Sequence, residues 1–321
     1  MTKVYLGLDT SCYTTSLAAV DGQGSLICQV RKLLPVPAGE NGLRQSQALF
    51  EHIKQLPALY RQLLAGLPKD HKTQAVCVST RPRPAHGSYM PVFLAGESFA
   101  DVIAAGCGAK LLATTHQHGH VYAALYGAGG PEGEAFLAVH LSGGTSELLR
   151  VRRLEDDLDI ELLGGTLDAS AGQLVDRVGV KMGLPFPAGA HLEEMAFIHG
   201  VDEPAIPASA KGLSVSFSGA QSAALRALEA GEDKPKVAAM VFSALSRTLG
   251  KWIAAAVEET GIKAVLLMGG VASSTWVRRA LTERLAKQKA DAALHFAPAQ
   301  YCSDNAVGVA LSGFYQMRRN A

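Results

Sequence analysis

Short apolar runs interrupted by small polar turns open the chain. Residues 4–8 end at Asp9-Thr10-Ser11, residues 16–20 end at Asp21-Gly22-Gln23-Gly24, and a third run covers residues 26–30. This pattern predicts an antiparallel meander. Between residues 43 and 67 apolar positions recur mostly at helical spacing around Pro57, so one kinked helix or two short ones are expected. Residues 75–79 read as a buried strand, and the proline-rich stretch 81–91 must leave it as a loop. A helix over 92–107, a short strand over 111–113 and a helix over 116–126 complete this part.

After a break at Gly127-Ala128-Gly129-Gly130-Pro131 the opening pattern returns. Residues 136–141 read as a strand, Ser142-Gly143-Gly144 as a turn, and residues 147–151 and 160–163 as two more strands. A meander near residue 1 and another near residue 136 predict two similar halves, 1–131 and 132–321, with the last helix free to pack back on the first. Helices are expected at 170–182, 191–199, 218–230, 236–260, 275–289 and 304–318, and strands at 264–268 and 293–296. Such alternation predicts an α/β protein whose ligands sit at strand ends.

Composition narrows the classes. With 321 residues, 48% of them hydrophobic and 18% charged, the chain is neither disordered nor fibrous and has room for about two domains. Its net charge of +1 lacks the basic surplus of a protein that binds nucleic acid through phosphate contacts alone, so any such partner needs a local patch. Five cysteines without C-x-x-C spacing argue against a disulfide framework or a zinc knuckle and for a reducing compartment. No run approaches the ~18 apolar residues of a membrane span, and the N-terminal run is too short for a signal peptide. A cytoplasmic protein with no membrane partner is expected.

The least ordinary local feature is Thr115-His116-Gln117-His118-Gly119-His120. On a helix His116 and His120 stand at i and i+4 and can hold one metal ion, while His118 points elsewhere. A zinc-protease helix would need a glutamate where Gln117 stands. Solvated histidines at a polar helix start are the alternative. A third ligand must come from afar; Asp304 is a candidate, or else an N-cap. Ser142-Gly143-Gly144 at a strand-ending turn, and Gly269-Gly270 between a buried strand and a helix beginning near Ser274, suit phosphate approach by backbone N–H groups. Neither is a P-loop, because the lysine is missing. Asp9, Thr10 and Ser11 can face a cation–phosphate complex, and Asp168 and Asp176, flanking Gly172, can orient a ribose or a metal-bound water. Taken singly, each aspartate is better suited to capping a helix than to catalysis. Two hairpin turns, a strand–Gly-Gly–helix segment and duplicated halves together describe the actin-like ATPase (ribonuclease H-like) fold, with a nucleotide cleft between two similar domains.

At this point the chain resembles the TsaD-type family of tRNA N6-adenosine threonylcarbamoyltransferases, also known as glycoprotease or peptidase M22. The likeness is carried by Gly7-Leu8-Asp9-Thr10-Ser11-Cys12, the segment 116–120, Ser142-Gly143-Gly144, the segment 167–177, Gly183-Leu184-Pro185-Phe186-Pro187, Ser216-Phe217-Ser218-Gly219, Gly269-Gly270-Val271 and Tyr301-Cys302-Ser303-Asp304-Asn305. The resemblance implies one divalent metal, iron or zinc, on His116, His120 and Asp304. It also implies an adenine nucleotide, ATP or threonylcarbamoyl-AMP, on His140, Leu141, Ser142, Gly143, Gly144, Asp176, Gly189 and the Gly269-Gly270 strand end. The implied reaction transfers threonylcarbamoyl to N6 of adenosine 37 in tRNA, with partner proteins of the same system or a second copy of the chain.

Departures from the family pattern accompany the matches. Tyr13-Thr14 replaces an acidic pair, Thr145 a histidine, Ala169 an aspartate and Gln173 a glutamate. Ala188-Gly189-Ala190 replaces Gly-Gly-Pro, Gln221 stands where a lysine is usual, Ser274 replaces an asparagine, and Arg81-Pro82-Arg83-Pro84 lies where Gly-Pro-Gly is usual. They leave an alternative open: a divergent nucleotide- and metal-binding paralogue that serves as a scaffold or carbamoylates a non-tRNA acceptor.

Overall fold

The computed structural model describes residues 1–11, 13–36, 43–155, 157–200 and 206–318. Cys12, part of the first family motif, lies outside the described residues. The chain opens with β1 (Thr2–Asp9), β2 (Thr14–Asp21) and β3 (Leu26–Leu33), then α1 (Gln45–Ala65), β4 (His71–Ser79), α2 (Phe93–Cys107), β5 (Lys110–Thr114) and α3 (His116–Ala128). The pattern repeats with β6 (Ala135–Leu141), β7 (Ser146–Arg153), β8 (Leu158–Gly165), α4 (Ala171–Lys181) and α5 (Gly189–His199). A small hairpin, β9 (Ser209–Lys211) and β10 (Ser214–Ser216), leads into α6 (Ser218–Glu229) and α7 (Lys234–Thr260). Last come β11 (Ala264–Met268), a 3-10 turn (Gly270–Ser273), α8 (Thr275–Lys287), β12 (Ala293–Phe296), α9 (Ala299–Cys302) and α10 (Val307–Arg318).

Two five-stranded sheets share one topology. Their orders are β3-β2-β1-β4-β5 and β8-β7-β6-β11-β12. In each, the first strand pairs antiparallel with the next in sequence and parallel with a later one. The central strands are apolar nearly throughout because both faces are covered: Val4, Leu6 and Leu8 on β1, and Leu137, Val139 and Leu141 on β6, are at most 1% exposed. The expected meanders are therefore present, and the repeat is one of topology.

Of the two arrangements expected around Pro57 the single helix is present: α1 runs through the proline although the ring removes an internal hydrogen bond. Other expectations needed correction. The β9–β10 hairpin and the four-residue α9 had no distinct signal in the sequence. The last helix begins at Val307 rather than at 304; Asn305 Oδ1 accepts from Val307 N at 3.0 Å, so Asn305, not Asp304, serves the helix start.

The two halves are interlocked by their final helices. α3 follows the last strand of the first sheet yet packs against β11 and β12 of the second, whereas α10 follows the last strand of the second sheet and packs on β1, β2 and β4. Val121 and Ala123 of α3, Ala310 and Leu311 of α10, Tyr5 of β1 and Phe136 of β6 share one buried cluster. α3 and α10 cross closely at Gly119 and Gly308. A Cβ at Gly308 would run into the Gly119 carbonyl, so glycine is what lets the two helices meet.

Candidate functional site: a histidine and carboxylate cluster at an interdomain cleft

The start of α3 is held by hydrogen bonds along its whole first turn. Thr115 Oγ1 accepts from His118 N at 3.2 Å, and the loop carbonyls of Arg81 and Pro82 accept from His116 N and Gln117 N, each at 3.0 Å. These contacts satisfy amides that a helix leaves unpaired. His118 is structural: its Nδ1 lies 2.7 Å from Thr115 Oγ1 and its Nε2 3.1 Å from the Leu158 carbonyl.

His116 and His120 share one face, as their spacing predicts, with their Nε2 atoms 2.9 Å apart. Asp304 enters from the segment before α10, its Oδ1 3.6 Å from His116 Nε2 and 3.4 Å from His120 Nε2. Asn305 fixes the turn that presents Asp304, its amide donating to the Ser303 carbonyl at 2.8 Å. Among the described residues, the ligand atoms of His116, His120 and Asp304 lie within 4.8 Å of one another, a set that fits a divalent cation.

Asp9, at the end of β1, orients the cluster. Its Oδ1 is 3.1 Å from His116 Nδ1 and accepts from Ser79 Oγ, while its Oδ2 accepts from Ser11 Oγ at 2.5 Å. Burial pushes this carboxyl up, but the His116 charge and the three hydrogen bonds outweigh it and hold Asp9 well below the usual carboxylate range. The same contact acts in reverse on His116. Burial lowers it, yet the charge and hydrogen bond of Asp9, then the charge of Asp304, raise it to about 9. Burial and the neighbouring His116 charge lower His120. A carboxylate on the far nitrogen of an imidazole fixes which nitrogen faces outward, a common arrangement behind metal-ligating histidines.

A cleft of about 830 Å³ opens over this cluster. Of the residues singled out from sequence, Ser11, His116, His140, Ser142, Gly143, Gly144, Asp176 and Asp304 line it. The Ser142–Thr145 turn is closed by Ser142 N to the Thr145 carbonyl at 2.8 Å and clamped to the start of α4 by Ser170 Oγ to the Gly143 carbonyl at 2.7 Å. Gly143 and Gly144 are exposed there beside a helix N-terminus, which suits an anion. Asp176 accepts from Ala188 N at 2.8 Å, and burial raises its carboxyl above the ordinary value.

The remaining expected site residues support the cleft from outside its walls. Thr10 is buried, its hydroxyl donating to the Val92 carbonyl at 3.2 Å and accepting from Gly96 N at 3.1 Å, which pins the β1–β2 turn to α2. Leu141 lies in the core, and Gly172 N donates to the Ser142 carbonyl at 3.2 Å. Gly269 has φ +95° and sits against the Leu141 carbonyl, where a Cβ would clash; it joins β11 to the end of β6. Gly270 opens the following 3-10 turn and is exposed, and Gly189 opens α5.

Two polar residues expected near a nucleotide, Asp168 and Ser274, make capping contacts. Asp168 precedes α4 rather than belonging to it, and its carboxylate accepts from Phe217 N at 2.9 Å, Ser216 Oγ at 2.5 Å and Ser218 Oγ at 2.5 Å at the start of α6. Although burial raises it, these donors bring Asp168 down to about 2. Ser274 caps α8, accepting from Val277 N at 3.1 Å and donating to Glu193 Oε1 at 2.9 Å. Glu193 also accepts from Trp276 N at 2.7 Å.

Sequence reading missed the pairing across the cleft. Arg83 Nη1 of the proline-rich loop is 2.7 Å from Glu147 Oε1 on β7, and Gln117 Nε2 donates to Glu147 Oε2 at 2.7 Å. Gln117, noted only for failing as a base, thus joins α3 to the second sheet. Glu147 is the lone acidic residue of β7, a strand that also carries Arg150, Arg152 and Arg153, and this was the available signal.

Fold and cleft define the class: two sheets of one topology with a cleft at their strand ends make this an α/β protein of the actin-like, ribonuclease H-like kind. Solved structures share this fold. Over 99% of this chain and 48% of the other, the T. kodakarensis HypF structure aligns with a TM-score of 0.63 at 15% identity. This chain therefore spans about half the length of that protein. A ROK family glucokinase from Streptomyces griseus, in complex with glucose and AMPPNP, aligns with a TM-score of 0.53 at 14% identity, over 99% of this chain and 100% of the other.

Sequence comparison goes further. The family model for tRNA N6-adenosine threonylcarbamoyltransferase, TsaD, matches residues 39–311. The enzyme of that name from Thermus thermophilus is 32% identical over 324 residues, covering 98% of this chain and 93% of its own. The chain belongs to the TsaD family and is a transferase of this type. No helix among the described residues is long and apolar enough to cross a membrane.

Proposed function

We propose that the protein transfers the threonylcarbamoyl group of threonylcarbamoyl-AMP to N6 of adenosine 37 in tRNA, using a divalent metal on His116, His120 and Asp304. The observation that carries this reading is that His116 and Asp304 of the trio and the exposed Gly143-Gly144 turn line one cleft in a chain of this family. When bound, the metal supplies Lewis-acid polarisation of the donor. The chain's own groups do the rest. Asp9 holds His116, the 142–145 turn and the start of α4 receive the adenylate phosphate, and Asp176 stands beside them. N6 attacks the carbamoyl carbon, the bond from that carbon to the phosphate oxygen breaks, AMP leaves with the electron pair, and the amine proton is released. Residues 1–131 and 132–321 act as the two domains flanking the reactants, and the site of action is the cytoplasm. Partner proteins of the threonylcarbamoylation system, or a second copy of this chain, complete the enzyme.

The test is incubation of purified protein with threonylcarbamoyl-AMP and unmodified tRNA, with and without partner proteins of a standard system, followed by nucleoside mass spectrometry. Modified adenosine that depends on His116 is expected. Its absence under every condition overturns the proposal.

A further inference from the structure

We infer that Arg83 receives the carboxylate of the donor's amino-acid moiety and so selects the acyl group that the cleft takes. The inference deepens the function proposed above and rests on it. Arg83 lines the cleft and belongs to the proline-rich stretch that stands where Gly-Pro-Gly is usual in the family. Its loop is tied to the start of α3: the carbonyls of Arg81 and Pro82 accept from His116 N and Gln117 N, each at 3.0 Å. Arg83 N donates to Ser88 Oγ at 3.2 Å, which fixes the turn that follows. Its Nη1 lies 2.7 Å from Oε1 of Glu147, and Glu147 is the cross-strand partner of His140 near the end of β6. Arg83 is thus connected to both parts of the site, through its loop to His116 and through Glu147 to the strand that leads into the 142–145 turn.

The proposed donor carries two anionic groups. The 142–145 turn and the start of α4 suit its phosphate, which leaves the carboxylate at the other end. Taking a carboxylate out of water without a partner is costly, so a site for it needs a cation or hydrogen-bond donors. Two arginines line the cleft. Arg177 stands on α4, on the side of the phosphate turn, and its Nη1 donates to Gln221 Oε1 at 3.2 Å. Arg83 stands on the side of His116, with the carbamoyl end of the donor. Neutralising Glu147 does not use the whole of this side chain. Gln117 Nε2 already donates to Glu147 Oε2 at 2.7 Å, Arg83 meets that carboxylate through Nη1, and among the described residues its Nε and Nη2 make no hydrogen bond. A guanidinium has five N–H donors in a planar fork that matches a carboxylate. With one part of the fork tied to Glu147, the rest is held in place before the substrate arrives, which lowers the entropy cost of binding.

The experiment measures, by calorimetry on the full chain alone and with partner proteins of a standard system, the binding of two stable donor analogues in which a sulfamoyl group replaces the phosphoester. One is built on threonine and the other on threoninamide, which lacks the carboxylate. A hydrogen-bonded charge pair corresponds to about 10–100-fold in affinity, so the parent is expected to prefer the acid by that factor and Arg83→Met to bind the two within about 3-fold. Glu147→Gln breaks the same ion pair but leaves the guanidinium, and it is expected to keep the parent's preference. Loss of the preference in Glu147→Gln as well would make the role of Arg83 merely structural and overturn the inference. Arg83→Lys keeps the charge without the planar fork and is expected to keep part of the preference. Thermal melting identifies any variant that misfolds; if Arg83→Met does, Arg83→Lys decides the question, and an undiminished preference there overturns the inference. If the parent binds both analogues equally, or Arg83→Met keeps the parent's preference, the inference is overturned and the proposed donor stands. If the parent binds neither analogue under either condition, the proposed function itself fails and the inference falls with it.

Discussion

Arg83→Met tests how the two halves are held across the cleft. The substitution keeps much of the side-chain volume but removes the positive charge 2.7 Å from Glu147, a carboxylate whose side chain is 8% exposed. Breaking a fully buried pair costs about 3–5 kcal/mol, and an exposed pair contributes about 0–1 kcal/mol. Arg83 is 44% exposed. An intermediate loss of about 1–3 kcal/mol is therefore expected, equivalent to a fall of roughly 2–6 °C in melting temperature. The pH dependence separates this cause from lost packing. Burial raises Glu147, and Arg83 and then Gln117 oppose the rise. Without Arg83 the carboxyl rises further. Between the ordinary value of 4.5 and the raised folded value, the folded state binds more protons than the unfolded one, so stability falls as pH rises. The variant's deficit should thus be full at about pH 8 and shrink toward about pH 5. Thermal denaturation of the parent, Arg83→Met, Glu147→Gln and the double variant at both pH values supplies the cycle, with a coupling of about 1 kcal/mol or more expected. Equal deficits at both pH values, or additive single effects, would refute the reasoning.

Three other outcomes follow from the geometry. Asp9→Asn should leave the chain folded but weaken zinc about 10–100-fold in chelator competition, because it removes the charge that orients His116. Ser274→Ala should cost about 1 kcal/mol in chemical denaturation through loss of the α8 cap, and Asp168→Ala should also destabilise, while adenine-nucleotide affinity measured by calorimetry stays near the parent value in both. Gly308→Ala should destabilise by about 1–3 kcal/mol through overpacking against α3, and should lower metal content at temperatures where circular dichroism still reports a folded chain.

The strands and long helices were legible because their burial follows local periodicity: β1, β4, β6 and β11 are apolar runs bounded by turn residues. The pairing of His116 with His120 was legible for the same reason, as i, i+4 spacing on a helix is a local property. Bringing Asp304 to them is not local. It depends on the close passage of α10 over α3 at Gly119 and Gly308, residues that carry no chemistry and so drew no notice. Asp168 shows the converse. A carboxylate beside a helix looks like a ligand in sequence, and in the fold it accepts from the amides at the start of α6. Arg83 and Glu147 were unreadable as a pair because 64 residues and a sheet boundary separate them, and only the tertiary arrangement makes them neighbours.

The duplicated topology also explains why the candidate metal centre lies where it does. In each half a helix follows the last strand and crosses to the other sheet: α3 from β5, and α10 from β12 by way of α9. His116 stands at the first residue of α3, and Asp304 three residues before α10, so corresponding places in the repeat supply ligands from opposite halves. The central strands end beside this crossing in matched register, with Asp9 opposite Ser16 and Leu141 opposite Ser146 as the last pairs of their hairpins. Symmetry of the backbone delivers two equivalent strand ends to one cleft, and the side chains break it. At the end of β1 a buried carboxylate faces inward to His116, whereas beyond the end of β6 two glycines face outward to the cleft. One end is thereby suited to a cation and the other to an anion. An ion held by His116, His120 and Asp304 would join helices anchored on different sheets, so metal occupancy and the relative placement of the two halves are bound to act on each other.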